Sequence, residues 1–399
     1  MERTYRQVLT DVDQGIWVDE WEVDGTSLDL DTEADWSVYK TTLRGGLQQG
    51  MDLIEVDNGV LSFFILPTRG MGIWKGTYKG IPLGWDSPVS GPIHPQFVNL
   101  QERGGLGWLT GFDEWIVRCG LDSHGAPGKD VVLDNNGNPM EVDLTLHGKI
   151  ANLPARYVEV EMDLTPPYRI KVIGVVDETM MFGPALRLMT CISTELGSSE
   201  LKITDEIRNL KAVPSELELL YHCNYGGPLL EEGARFVAPI RTMCPRDSRA
   251  QEGFEAFDVY GSPETGFVEQ VYFFNLLSEP ETGRTGTLLK NAAGDRGSYL
   301  IFSTRSLPAF TLWKNTGALK DGYVTGLEPG TDYPNPRQFE REQGRVVSIP
   351  PGETYSTELV VGVCDTVSGV QEKEAWIQSI QATAEPELHQ EILPHLSQA

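Results

Sequence analysis

The feature that most constrains this chain is two-residue alternation sustained from about residue 156 to residue 209. Within residues 156–163, Val158, Val160 and Met162 share one parity, while Tyr157, Glu159 and Glu161 take the other. Successive side chains of a strand point to opposite faces, so the pattern describes a strand with one face in a core. Residues 169–178, 185–195 and 201–209 repeat it; in the last, Leu201, Ile203 and Ile207 share a parity with Asp205. Short turn signals, Thr165-Pro166-Pro167 and Gly197-Ser198-Ser199, separate the runs. Four such runs joined so tightly predict an antiparallel meander.

Other segments extend the same reading. Residues 53–56, Asp57-Asn58-Gly59 and residues 60–66 predict a hairpin, because Asn-Gly tolerates the positive φ that a tight hairpin turn requires. A second Asn-Gly, Asn136-Gly137, precedes an alternating run at 140–146. Closing strands are expected at 345–349 and 355–364, joined through Pro350-Pro351-Gly352-Glu353. Helical spacing occurs only at 370–380, and the stretch after Pro386 reads as a loosely held tail. No fixed-period repeat, low-complexity linker or composition shift divides the chain. The expected fold class is therefore all-β: one large antiparallel β-sandwich with few short helices. Residues 1–45 read as an N-terminal extension packed on the sandwich, 46–366 as the sandwich, and 367–399 as a helical tail. Within it, residues 79–140 form a Gly/Pro-rich, strand-poor insertion, where binding loops are to be sought.

Charge and motifs exclude several functions. Lys and Arg number 32 against 58 Asp and Glu, a formal net charge of −26, so no basic footprint for nucleic acid or a polybasic membrane contact exists. Apolar runs fall far short of the roughly 18 residues a spanning helix needs, and the first residues carry no signal-peptide pattern. The five cysteines, Cys119, Cys191, Cys223, Cys244 and Cys364, are odd in number and widely spaced. They suggest neither a disulfide framework nor a metal knuckle, and the cytoplasm is the expected compartment. P-loop, G-x-S-x-G and H-E-x-x-H patterns are absent, and Gly104-Gly105-Leu106-Gly107 lacks the spacing of a dinucleotide turn.

The remaining chemistry is concentrated in a few polar residues at strand ends. Of six histidines, His389 and His395 lie in the tail, which leaves His94, His124, His147 and His222. His147 closes the 142–146 alternation before Gly148. His222 stands in Leu220-Tyr221-His222-Cys223-Asn224-Tyr225-Gly226-Gly227, where a strand runs into glycines. Glu328 precedes a Pro-Gly turn in Gly326-Leu327-Glu328-Pro329-Gly330, and Arg69 follows an apolar strand between Pro67 and Gly70. Each has a plain structural alternative: a surface pair, a core histidine, a turn acid, a structural ion pair. Together they could serve proton transfer on a polar, neutral substrate. Trp74, Trp85, Trp108, Trp115 and Trp313 could stack on sugar C–H faces or simply be core. A metal site on His94, His124 and His147 is a further alternative, although no ligand spacing demands it.

These residues carry a resemblance. Pro67-Thr68-Arg69-Gly70-Met71-Gly72, Leu146-His147-Gly148, His222 through Gly227, and Gly326-Leu327-Glu328-Pro329 with Asn335 downstream are similar to the galactose mutarotase-like, or aldose 1-epimerase, superfamily. The likeness is closest to its DUF4432 branch and covers roughly residues 45–365. It implies a supersandwich that interconverts sugar anomers by acid/base ring opening, without a metal or other cofactor. It implies Glu328 as general base and His222 as general acid, with Arg69 and His147 holding the substrate. Lys314, Glu269, Asn224 and Trp313 are further substrate-binding candidates, with Trp313-Lys314 and Glu269 typical of the branch. Thr145 and Leu146 stand where a second histidine is common, and Asp258 is the candidate counterpart of the family's substrate-binding aspartate. The implied partner is a free sugar, with no nucleic acid and no membrane, and the chain is expected as a monomer or homodimer. Alternatives are an isomerase or epimerase working at another carbon, and a non-catalytic carbohydrate-binding protein on the same fold. Arg69, Arg103 and Arg118 would have to cluster for an anionic sugar to be accepted.

Overall fold

A computed structural model describes residues 4–28 and 30–398. Two large sheets face each other, one of ten strands and one of fourteen among the described residues. The alternating segments form the meander of the smaller sheet: Tyr157–Asp163, Arg169–Thr179, Ala185–Glu195 and Glu200–Asn209, each antiparallel to the next. Thr354–Cys364 pairs along the last of them, and Gly297–Ser303 along that. Val158, Val160, Met162, Leu201, Ile203 and Ile207 all enter the core between the sheets.

The larger sheet is centred on Ser215–Tyr225, flanked by Ile116–Leu121 and Tyr323–Gly330. Ala309–Thr316 and then Gln270–Leu276 follow on the second side. Period two sorts the central strand. Leu217, Leu219, Tyr221, Cys223 and Tyr225 face the other sheet in the main core. Glu218, Leu220, His222 and Asn224 take the opposite face. Polar ties also cross the sandwich: Arg118 binds both carboxylate oxygens of Asp205, at 2.5 and 2.9 Å, and Tyr221 reaches the same carboxylate at 2.7 Å. Arg118 is thus an interior ion pair and Arg103 an exposed loop residue, so neither joins Arg69 in a cationic cluster.

Three segments differ from expectation. The N-terminal segment does not pack upon the sandwich but is built into it. Thr4–Asp11 pairs with Tyr157–Asp163 in one sheet, while Trp21–Asp24 and Ser37–Thr42 extend the other. Edge pairing satisfies backbone groups that a merely stacked segment would leave bare. The insertion is mostly loop, with the separate hairpin of Gly128–Leu133 and Pro139–Leu144, but it supplies Ile116–Leu121, a strand buried throughout. Burial on both faces erases the alternation by which a strand is recognised. The tail is held firmly. After the helix Val367–Gln381, Glu387–Leu388 pairs parallel with Ile240–Pro245. Leu393 and Leu396 then complete a cluster with Cys244, Val271, Phe273, Ala309 and Tyr333. No helix among the described residues is long and apolar enough to cross a membrane.

Candidate active site

Register brings the site together. On the outer face of the larger sheet, Asn224 pairs with Gly326, Trp313 with Gly326, and Thr311 with Glu328. Paired residues share a face, so His222, Asn224, Trp313 and Glu328 all project to one side. His222 Nε2 lies 3.2 Å from Glu328 Oε1, with both side chains almost fully buried. The contact does not have hydrogen-bond angles, and Glu328 Oε1 has no hydrogen-bond partner. Gly326 makes the approach possible: a Cβ there would stand 2.3 Å from Glu328 Oε1 and 3.0 Å from His222 Cε1.

Aromatic rings enclose the pair. The ring centroid of His222 is 5.0 Å from Phe112, 5.3 Å from Trp313 and 6.2 Å from Trp108. His147 stands edge-on to His222 at 5.5 Å and to Trp108 at 4.6 Å. Val117, Cys119, Leu220 and Val324 form the apolar floor. Burial pushes Glu328 well above the usual carboxylate range; the Glu269 charge adds to this and Arg246 opposes it. Burial, then the neighbouring His147, holds His222 well below the ordinary histidine value, and burial lowers His147 to about 4. His147 sits in a turn at φ +58° and its Nδ1 meets the His124 carbonyl at 2.9 Å. A carbonyl only accepts, so Nδ1 carries the proton and neutral His147 offers Nε2 as an acceptor.

The other candidates divide. Glu269 stands at the rim, accepting from Trp313 Nε1 at 2.8 Å and from Arg246 at 2.9 Å. Arg69 does not face the pair. It is wholly buried, donating to Glu114 at 2.6 Å, Gly111 O at 3.0 Å, and Ile93 O and Asn152 at 3.1 Å. Lys314 follows Trp313 and so points to the opposite face, where its Nζ donates to Ala256 O and Val259 O at 2.8 Å and burial lowers its pKa to about 8. Asp258 pairs with Arg235 at 3.2 Å. Of the tryptophans, Trp108 and Trp313 border the pair. Trp85 backs Phe112 at 5.0 Å, while Trp74 packs on Phe64 and Trp115 lies in the core.

His94, His124 and His147 do not converge. His94 Nδ1 accepts from Gln96 N, and the His124 ring bonds Asp332. Among the described residues no group of three or more His, Cys, Asp or Glu could hold a metal ion. Phe112, Glu114 and Arg246 were not singled out from the sequence. Phe112 and Glu114 sit in loops without period, and Arg246 stands beyond a strand end with only Asp247 beside it as a signal.

An open groove of about 1200 Å³ lies elsewhere, between the 128–144 hairpin and the 180–185 turn. Its arginines are already paired, Arg337 with Asp122 and Asp130, Arg341 with Asp130 and Glu216. The His222–Glu328 pair lies outside this groove, on the outer face of the larger sheet.

The fold places the molecule among the galactose mutarotase-like β-sandwiches. A candidate aldose 1-epimerase from Klebsiella pneumoniae subsp. pneumoniae MGH 78578 matches with a TM-score of 0.91 at 35% identity, over 97% of this chain and 98% of that one. A galactose mutarotase-like protein from Clostridium acetobutylicum matches at TM-score 0.56 and 14% identity, over 87% and 99%. A galactose mutarotase related enzyme from Lactobacillus acidophilus matches at TM-score 0.53 and 11% identity, over 79% and 98%. At such low identity the last two share the fold alone. The sequence profile of DUF4432, a domain of unknown function, matches residues 48–363, and the chain belongs to that family. No curated protein matched the sequence.

Proposed function

We propose that the protein is an aldose 1-epimerase that interconverts the anomers of a free, uncharged sugar. The observation that carries this reading is the enclosed imidazole–carboxyl pair, His222 and Glu328 at 3.2 Å. Ring opening of a cyclic hemiacetal requires one group to take the anomeric hydroxyl proton while another protonates the ring oxygen. Rotation about C1–C2 presents the other carbonyl face, and the two groups exchange roles on closure. Trp313 and Phe112 supply flat apolar faces for sugar C–H groups, and His147 Nε2 can accept from a sugar hydroxyl. The nearby cations favour a neutral sugar: Arg69 and Lys314 are bound to protein groups, and Arg246 pairs with Asp247 and Glu269.

The test is magnetisation-exchange NMR on a panel of free aldoses. Anomer exchange is expected to be accelerated for at least one of them. Glu328→Gln and His222→Asn should each slow it by about 10²–10⁴-fold. Appearance of a new sugar would replace this reading with isomerisation at another carbon. Binding without accelerated exchange would replace it with a carbohydrate-binding role.

A further inference from the structure

The turn between the strands Arg169–Thr179 and Ala185–Glu195 is made of unusual residues for a solvated loop. Tight turns ordinarily take Gly, Asn, Asp or Ser, which suit water and unusual backbone angles. Here Met180, Met181 and Phe182 stand at the tip, 63%, 79% and 66% exposed. Phe182 also adopts φ +61°, a conformation that costs a bulky side chain free energy. The turn is nonetheless fixed. Met180 N donates to Pro184 O at 2.8 Å, Gly183 N to Met180 O at 3.1 Å, and Lys211 Nζ to Gly183 O at 3.0 Å. An apolar tip is thus held out in water by polar bonds beneath it.

Across the groove of about 1200 Å³ stands the hairpin of Gly128–Leu133 and Pro139–Leu144. It belongs to neither large sheet, and a two-stranded hairpin buries too little apolar surface to be stable in water by itself. Its Asp130 is anchored to Arg337 and Arg341, but Val131, Leu133 and Met140 are left 53%, 64% and 45% exposed. These three and the three turn residues all line the groove. The six side chains leave about 700 Å² in water, more than the roughly 300–600 Å² of the largest patch on an ordinary monomer and close to the ~800 Å² that each partner gives a standard interface.

Charge selects the occupant. The chain carries −26, so two copies repel wherever acidic surface meets acidic surface. The groove is an exception, since four acidic and four basic side chains line it. A second copy meets no net charge there, and a basic partner would find no acidic patch to attract it. The shape is self-complementary as well. A projecting turn stands beside a depression on one face, and a two-fold axis lets each copy's turn enter the other's groove, which closes the assembly. Methionines suit such a contact, because their unbranched side chains adapt to irregular surfaces.

We propose that this face is the interface of a symmetric homodimer, in which the Met180-Met181-Phe182 turn of each copy fills the groove of the other. The strand Pro139–Leu144 runs on through Thr145 and Leu146 to His147, so the interface secures the segment that delivers this ring to His222. The proposal does not depend on which reaction the site performs.

Sedimentation velocity of the full chain over a concentration series tests it. A species of twice the chain mass is expected, dissociating on dilution. Met181→Asp places a charge in the apolar contact of both copies and should raise the dissociation constant by about 100-fold or more. Phe182→Asp should act in the same direction. Aspartate accepts the left-handed backbone better than phenylalanine, so that variant is expected to be a folded monomer. An unaltered chain that stays monomeric at about 100 μM overturns the proposal. So does a dimer that neither substitution weakens, which would place the contact on another face. A ladder of larger species also overturns it, since it would mean an open head-to-tail contact. Hydrogen exchange of the unaltered protein, diluted through its dissociation, needs no variant to fold. Amides at 129–143 and 179–184 should lose protection together, and unchanged protection there defeats the assignment. Binding of anilinonaphthalene sulfonate to a protein that remains monomeric would give the groove to a small apolar ligand instead.

Discussion

Arg69 leaves the buried strand Leu61–Leu66 and turns its guanidinium into the protein, where four hydrogen bonds bind it to the segments at Ile93, Gly111 to Glu114, and Asn152. Neither it nor Glu114 has exposed side-chain surface. Removing one partner of such a pair strands the other charge in a medium that solvates it poorly, at a cost of about 3–5 kcal/mol. Arg69→Met is therefore expected to lower stability by that order in urea titrations. Adding Glu114→Gln should recover part of the loss. An Arg69→Met protein of unchanged stability and raised KM would instead show that the guanidinium meets substrate.

At the scale of the strand, one residue of displacement decides between site and interior. Trp313 borders His222, whereas Lys314 is on the reverse face against Tyr260, although both were read as site residues. The same parity makes Gly326 critical, since it stands between Asn224 and Trp313 in register, directly under the pair. Gly326→Ala would drive its Cβ into the end of the Glu328 side chain and the edge of the His222 ring. The Glu328 carboxyl can swing aside, so stability should change little. Misplaced acid/base groups lose much of their effect, so kcat/KM for anomer exchange should fall by about 100-fold. Calorimetry beside exchange NMR checks this; an unchanged rate would mean that the pair tolerates being moved.

Across the whole molecule, the site depends on pieces far apart in the chain. The segment after the helix Val367–Gln381 is one of them. Asn335 donates to Leu396 O at 2.9 Å, Arg345 to His395 O at 2.7 Å, and Ser397 to Arg246 O at 2.6 Å. Arg246 is also the partner of Glu269 at the rim, so the tail braces the site from outside. Removing residues 385–399 exposes the cluster that Leu396 completes, a loss of about 1.5–3 kcal/mol for that side chain alone. A lowered Tm is expected by calorimetry, with slower anomer exchange at the growth temperature of the host. A truncated protein with an unaltered Tm would show that the tail bears no load.

Period and turn chemistry alone determined much of this protein. The meander of the smaller sheet, the Asp57-Asn58-Gly59 hairpin and the final helix could be read directly, because alternation and turn preferences are local properties of the chain. The family resemblance picked out His222 and Glu328 by short motifs, and strand pairing brought them within contact of one another. What tertiary structure alone decided is how each charge is satisfied. The partners of Arg69 come from three separate segments, the Asn224 amide is oriented by a carbonyl 110 residues away, and the faces of Lys314 and Trp313 follow from register. Solvation of a buried polar group is a property of everything packed around it, and linear order does not carry that information.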